Sequence, residues 1–177
     1  AGDYFGGSVA NIGDLDGDGV NDLAVGAFKD DAGGTERGAV HIMFMNIDGT
    51  VKSTREINSE SDGENGPVIT AGDDFGYSVA NIGDLDGDGV NDLAVGALYD
   101  DAGGSNRGAV HILFMDIDGT VKSTREINSE SDGENGPVLA SSDYFGTSVA
   151  NIGDLNGNGV IDLAVGAWKD DAGGTDQ

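Results

Sequence analysis

The chain repeats itself with a period of 70 residues, and that period limits the possible folds more than any other feature. Ser8-Val-Ala-Asn-Ile-Gly13 returns from Ser78 to Gly83 and again from Ser148 to Gly153. Phe5, Phe75 and Phe145, each followed by Gly, mark the same register. The first two units continue almost identically through Gly38 to Ile42 and Gly108 to Ile112, then into long matching segments that begin at Asp48 and Asp118. The third unit stops at Gln177, so the expected organisation is residues 1–72, 73–142 and a partial unit over 143–177.

Within one unit the apolar residues fall in short runs bounded by turn signals, which is the spacing of an all-β protein. In the second unit, Tyr77 to Ile82 predicts a first strand. Leu93 to Leu98 is nearly continuously apolar and predicts a second strand buried on both faces. Ala109 to Asp116 and Thr120 to Ile127 predict a third and a fourth, joined at Asp118-Gly119 by a hairpin turn of the I′ kind. The polar stretch from Ser129 to Ser142 reads as a connection. One four-stranded antiparallel sheet that is apolar on both faces cannot bury itself. Radial stacking of such sheets solves the problem, so the expected fold is a β-propeller of four-stranded blades. Two full blades and half of a third leave the ring incomplete. A β-solenoid is the rival, disfavoured because its coils are much shorter than 70 residues. Exposed blade edges would be liable to pair, which points to a piece of a longer array or to completion by other copies.

Between the first two predicted strands of each unit lies an acidic nine-residue loop. The first carries Asp14, Asp16, Asp18 and Asp22, with the backbone carbonyl of Val20 at position 7. The second carries Asp84, Asp86, Asp88, Val90 and Asp92, and the third Asp154, Asn156, Asn158, Val160 and Asp162. Oxygens at alternate positions form a Ca²⁺-binding pattern, and four crowded carboxylates repel one another unless a cation neutralises them. Gly17 and Gly19 permit the tight curl that turns the side chains inward. The loop is not a complete EF-hand, because position 12 is Val25 rather than Glu and strands replace the flanking helices. One Ca²⁺ per repeat is expected. The third site should be weaker, because Asn156 and Asn158 lower the ligand charge from −4 to −2.

These elements, in fixed order, resemble the FG-GAP repeats of integrin α-subunit propellers and their bacterial relatives. The first element is Phe5-Gly6, Phe75-Gly76 and Phe145-Gly146; the second is Gly26-Ala27, Gly96-Ala97 and Gly166-Ala167. The resemblance implies calcium in the hairpin joining the first two strands of a blade. Two departures are visible. Phe28, Leu98 and Trp168 stand where the family has Pro, and the chain has no Cys, which favours a bacterial-type relative. Nothing resembles an inserted metal-dependent adhesion domain.

The remaining polar residues read as structural. Asp30-Asp31, Asp100-Asp101 and Asp170-Asp171 are adjacent residues in Gly-rich turns that point apart, which suits solvated turns better than acid–base catalysis. His41 and His111 read as satisfied strand histidines, and Trp168 as a packing residue. No nucleophile constellation is visible, so no enzyme activity is expected. With 8 Lys and Arg against 33 Asp and Glu, the net charge of −25 argues against nucleic acid. No apolar run approaches the ~18 residues of a membrane span. Extracellular calcium modules bind at about 10⁻⁴–10⁻³ M, so such loops would be empty in the cytosol, which places the chain outside the cell. The expected function is a non-catalytic calcium-binding repeat module serving as scaffold, filament or adhesion surface. Its expected partners are proteins or further copies, with polysaccharide as a further candidate. The alternative is the propeller part of a larger secreted hydrolase or lyase acting on polysaccharide or lipid.

Overall fold

A computed structural model describes residues 2–130 and 136–170. Strands β1 (Phe5–Gly13), β2 (Asp22–Ala27), β3 (Ala39–Met45) and β4 (Val51–Ile57) form one antiparallel sheet in that order. Strands β5 (Phe75–Gly83), β6 (Asp92–Ala97), β7 (Ala109–Met115) and β8 (Val121–Ile127) form a second of the same topology. Strands β9 (Phe145–Asn151) and β10 (Leu163–Ala167) pair as a third. The sheets stack face to face as consecutive blades, with β1 beside β5 and β5 beside β9. This is an all-β, incomplete propeller.

Alternation along the strands explains the stacking. From blade 2, Leu93, Val95, Leu113 and Met115 point into one core with Ile12, Ile42, Phe44 and Ile57 of blade 1. Their neighbours Ala94, Val110 and Ile112 point the other way, towards Val149, Leu163 and Val165 of blade 3. Strand β6 is therefore buried along its whole length, as its unbroken apolar run predicts. The outer face of blade 1 has no such cover, and Phe5 and Val9 are 58% and 57% exposed there.

Polar contacts set the register between blades. The Ser8 hydroxyl donates to the Gly76 carbonyl at 2.9 Å, and the Ser78 hydroxyl donates to the Gly146 carbonyl at 2.7 Å. The side-chain amide of Asn81 donates to the Asn11 carbonyl, and that of Asn151 to the Asn81 carbonyl, forming a ladder across β1, β5 and β9. Phe75 also pairs with Gly38 in a short parallel bridge, repeated by Phe145 and Gly108.

The hairpin between β3 and β4 differs from expectation. Gly49 has φ +82°, but Asp48 does not share the left-handed region that a I′ turn requires at both central residues. Asn46 N–H instead bonds the Thr50 carbonyl at 2.8 Å across a three-residue loop, with Asp48 fixed by the Thr50 amide and hydroxyl. Blade 2 repeats this between Asp116 and Thr120. Those hydroxyl bonds compete with the backbone conformation a I′ turn would need.

Candidate functional site

Each acidic loop is held by its own backbone. In the first, Asp14 accepts from the Asp18 and Gly19 amides at 2.9 and 2.8 Å, and Asp18 accepts from the Val20 amide at 2.9 Å. Gly17 and Gly19 have φ +76° and +89°, which gives the loop its curl. The second loop repeats these bonds through Asp84 and Asp88. The third keeps them despite its substitutions: Asp154 accepts from Asn158 and Gly159, and the Asn158 carbonyl oxygen accepts from Val160. Asn therefore reproduces the Asp geometry with the same oxygen, as expected for a residue that offers one carbonyl acceptor.

Position 9 does something different from positions 1, 3 and 5. Asp22 and Asp92 are fully buried. Asp92 accepts from the Leu85 amide at 2.8 Å and from the Met115 amide of β7 at 3.0 Å, and Asp22 does the same with Leu15 and Met45. These carboxylates tie the loop to the third strand of the blade. Burial pushes the Asp92 carboxyl above the usual carboxylate range against the pull of those two amides. In blade 3, Asp162 accepts from Leu155 in the same way, but its other oxygen takes the Asn156 side-chain amide at 3.3 Å.

Ligand oxygens of Asp14, Asp16 and Asp18 lie within 4.8 Å of one another, as do those of Asp84, Asp86 and Asp92. These clusters have the composition and spacing to hold a cation. Sequence reasoning missed the residue that answers them here. The Lys52 ammonium lies 2.6 Å from Asp16 and 2.7 Å from Asp18, and Lys122 bridges Asp86 and Asp88 in blade 2. The hydrogen bond from Lys52, then that from the Val20 amide, lowers the Asp18 carboxyl, and Lys122 acts likewise on Asp88. The lysine amines are raised in turn. A fixed ammonium between two carboxylates marks where positive charge is favoured, so the donor set suits a hard cation.

The paired aspartates of blades 1 and 2 point apart, as expected, while Asp171 of the third pair lies outside the described residues. Asp100 accepts from the Ala102 amide and Asp101 from the Asn106 amide, each closing its own turn. His111 departs from expectation. It is 2% exposed, and its Nε2 has no hydrogen-bond partner among the described residues. The turn holds Asp100 3.8 Å away, which is too long for a hydrogen bond. Trp168 is 62% exposed, with its ring 6.0 Å from that of Tyr144.

Buried carboxylates give the cation-free protein a defined pH response. Burial raises Asp73 and Asp74, the latter against the opposing hydrogen bond from Lys29. A raised folded-state value contributes stability that is complete below the unfolded value of 3.8 and is lost as pH rises through the folded one. Asp48 and Asp118 are lowered, first by the Thr50 and Thr120 hydroxyls, so their contribution is lost as pH falls below 3.8. In chelator, the melting temperature is expected to rise from pH 7 to a maximum at about pH 4 and then fall. A scan rising steadily towards neutral pH would contradict this.

The sequence profile of the FG-GAP repeat matches residues 5–43 and 75–113. The chain is 33% identical over 172 residues to human integrin alpha-11, covering 94% of this chain and 13% of that protein. It is 36% identical over 175 residues to integrin alpha pat-2 of Caenorhabditis elegans, covering 95% and 14%. With integrin alpha-PS2 of Drosophila melanogaster it shares 34% identity over 175 residues, covering 96% and 12%. The chain thus spans only about one-eighth of the length of these curated relatives. Among the described residues, no helix is long and apolar enough to cross a membrane.

Proposed function

Because this chain belongs to the FG-GAP repeat family, we propose that it is a non-catalytic, calcium-stabilised extracellular module that presents a repeated adhesion or scaffold surface. Its units are residues 1–72, 73–142 and 143–177. The observation that carries this reading is the backbone cage common to all three acidic loops, with a lysine ammonium between the carboxylates of the first two. In each loop the side chains at positions 1, 3, 5 and 9, with the carbonyl of Val20, Val90 or Val160, would hold Ca²⁺. The ion would neutralise crowded charge and clamp the hairpin between the first two strands, with a structural role. The third loop carries Asn156 and Asn158 where the others carry Asp, so its affinity should be the weakest.

Protein partners fit this reading best. The uncovered apolar face of blade 1 and the exposed Leu155 and Trp168 of blade 3 are surfaces on which further blades would stack.

Calorimetry and thermal melting test the assignment together. Three Ca²⁺ per chain are expected, the third weakest. At ten times Kd each site contributes about 1.4 kcal/mol, so chelation should cost ~4 kcal/mol in all. For a chain of this size that is a fall of roughly 8–16 °C in Tm. Identical melting curves with calcium and with chelator would overturn the assignment.

A further inference from the structure

A second cluster of ligand-type side chains lies in blade 2 at the opposite end of β6 from the acidic loop. Asp100, His111 and Glu126 each bring a ligand atom to within 4.8 Å of the others. His111 and Glu126 face each other across β7 and β8, and Asp100 stands in the turn after β6. Each carboxylate has one oxygen already occupied by a neighbour. Asp100 Oδ1 accepts from the Ala102 amide at 2.7 Å, and Glu126 Oε1 accepts from the Asn128 side-chain amide. The other oxygen of Asp100 faces His111 Nε2 at 3.8 Å. Asp73, from the connection between the blades, adds a third carboxylate. It is held by the Thr70 amide and hydroxyl at 2.6 and 2.8 Å, and with Asp100 and Glu126 it lines a cavity of about 300 Å³.

This cluster is electrostatically incomplete. Three carboxylates surround one imidazole, and the ion pairs among the described residues place no lysine or arginine on any of them. His111 Nε2 is buried without a partner among the described residues, in a position where polar groups are normally satisfied. As an acceptor it faces carboxylate oxygens, and as a donor it is too far from Asp100 to bond. A cation between them resolves both conflicts. Two donors at ~2.1 Å from one tetrahedral ion stand about 3.4 Å apart, so the observed 3.8 Å needs only slight closure.

We propose that Asp100, His111 and Glu126, with Asp73 alongside, form a site for one divalent first-row transition ion of the zinc type. Mixed imidazole and carboxylate donors suit such an ion, whereas calcium takes oxygen ligands alone. The site shares no residue with the acidic loops, so it stands or falls separately from the calcium reading.

Blade 1 supplies an internal control. Asp30, His41 and Glu56 repeat the three residue types in the same register, with His41 Nε2 3.7 Å from Asp30. The His41 side chain, however, is 19% exposed against 2% for His111. In blade 2, Val68 and Thr70 wall the cavity beside Asp73. Of the two described clusters, that of blade 2 is the more enclosed.

The test is titration of the full chain with Co²⁺, a coloured stand-in for Zn²⁺, in about 5 mM Ca²⁺ to saturate oxygen-only sites. One equivalent should bind and develop visible ligand-field absorption that Zn²⁺ abolishes. His111→Gln and Glu126→Gln should each weaken binding more than ~30-fold, and His41→Gln should leave it unchanged. Circular dichroism reads the folding of each variant, and Glu126→Gln carries the test alone if His111→Gln does not fold. Absence of absorption with calcium present, or absorption that survives the folded blade 2 variants, overturns the proposal. So does an equal loss in His41→Gln.

Discussion

Gly108→Ala is expected to destabilise the protein by about 3–5 kcal/mol, read as a shift of the urea midpoint at unchanged slope. Two costs add at this position. The residue has φ +81°, a region where a side chain costs ~1–3 kcal/mol. A Cβ would also lie 2.1 Å from the Phe145 carbonyl oxygen and 2.6 Å from the Phe145 nitrogen. Those atoms are backbone, and Phe145 is bonded to the Arg107 carbonyl at 2.8 Å, so they cannot yield without separating blades 2 and 3. Gly38→Ala should do the same between blades 1 and 2, where the added atom would meet the Phe75 carbonyl at 2.1 Å. Gly49→Ala is the control, with φ +82° and nothing within 4 Å, so it should cost only about 1 kcal/mol. Equal effects at Gly49 and Gly108 would show that backbone conformation alone matters, and the blade contact not at all.

Asp92→Ala should cost roughly 3–5 kcal/mol even in chelator. The change removes the acceptor for two amides in a fully buried setting, those of Leu85 and Met115, and each stranded donor costs ~1–3 kcal/mol. Asp92→Asn retains one acceptor and should lose about half as much. Asp162→Ala should cost only ~1 kcal/mol, because its loop is exposed and its second oxygen bonds only the nearby Asn156 amide. Chelator separates this role from cation binding. If Asp92→Ala matches the parent protein once cations are removed, position 9 is a ligand and nothing more.

The strands were legible because their signals are local. The apolar run from Leu93 to Leu98 marks a doubly buried strand, and β6 runs from Asp92 to Ala97. The acidic loops were legible for the same reason, since five oxygen-bearing positions fall within nine residues. Features that depend on distant pairing were not. Lys52 lies 36 residues from Asp16 and reaches it only because the β3–β4 hairpin returns the chain beside the loop. The sequence shows Asp22 only as a ligand, and its second role, accepting from Met45 23 residues on, depends on β3 lying beside the loop. His111 looked solitary because its neighbours come from a turn, a facing strand and an interblade connection. The exact repeat also hid the contrast between His41 and His111, whose local sequences match while their enclosure differs.

The contact between blades has a direction. Ser8, Gly26 and Gly38 form a socket, and the Phe75-Gly76 backbone is the plug that enters it; Ser78, Gly96 and Gly108 receive Phe145-Gly146 in the same way. Socket and plug are different surfaces of every blade, so two like ends cannot join by a twofold axis. Any assembly that reuses this joint must grow head to tail. It then closes as a ring if the rotation per blade divides the circle, and winds on as a polar filament if it does not.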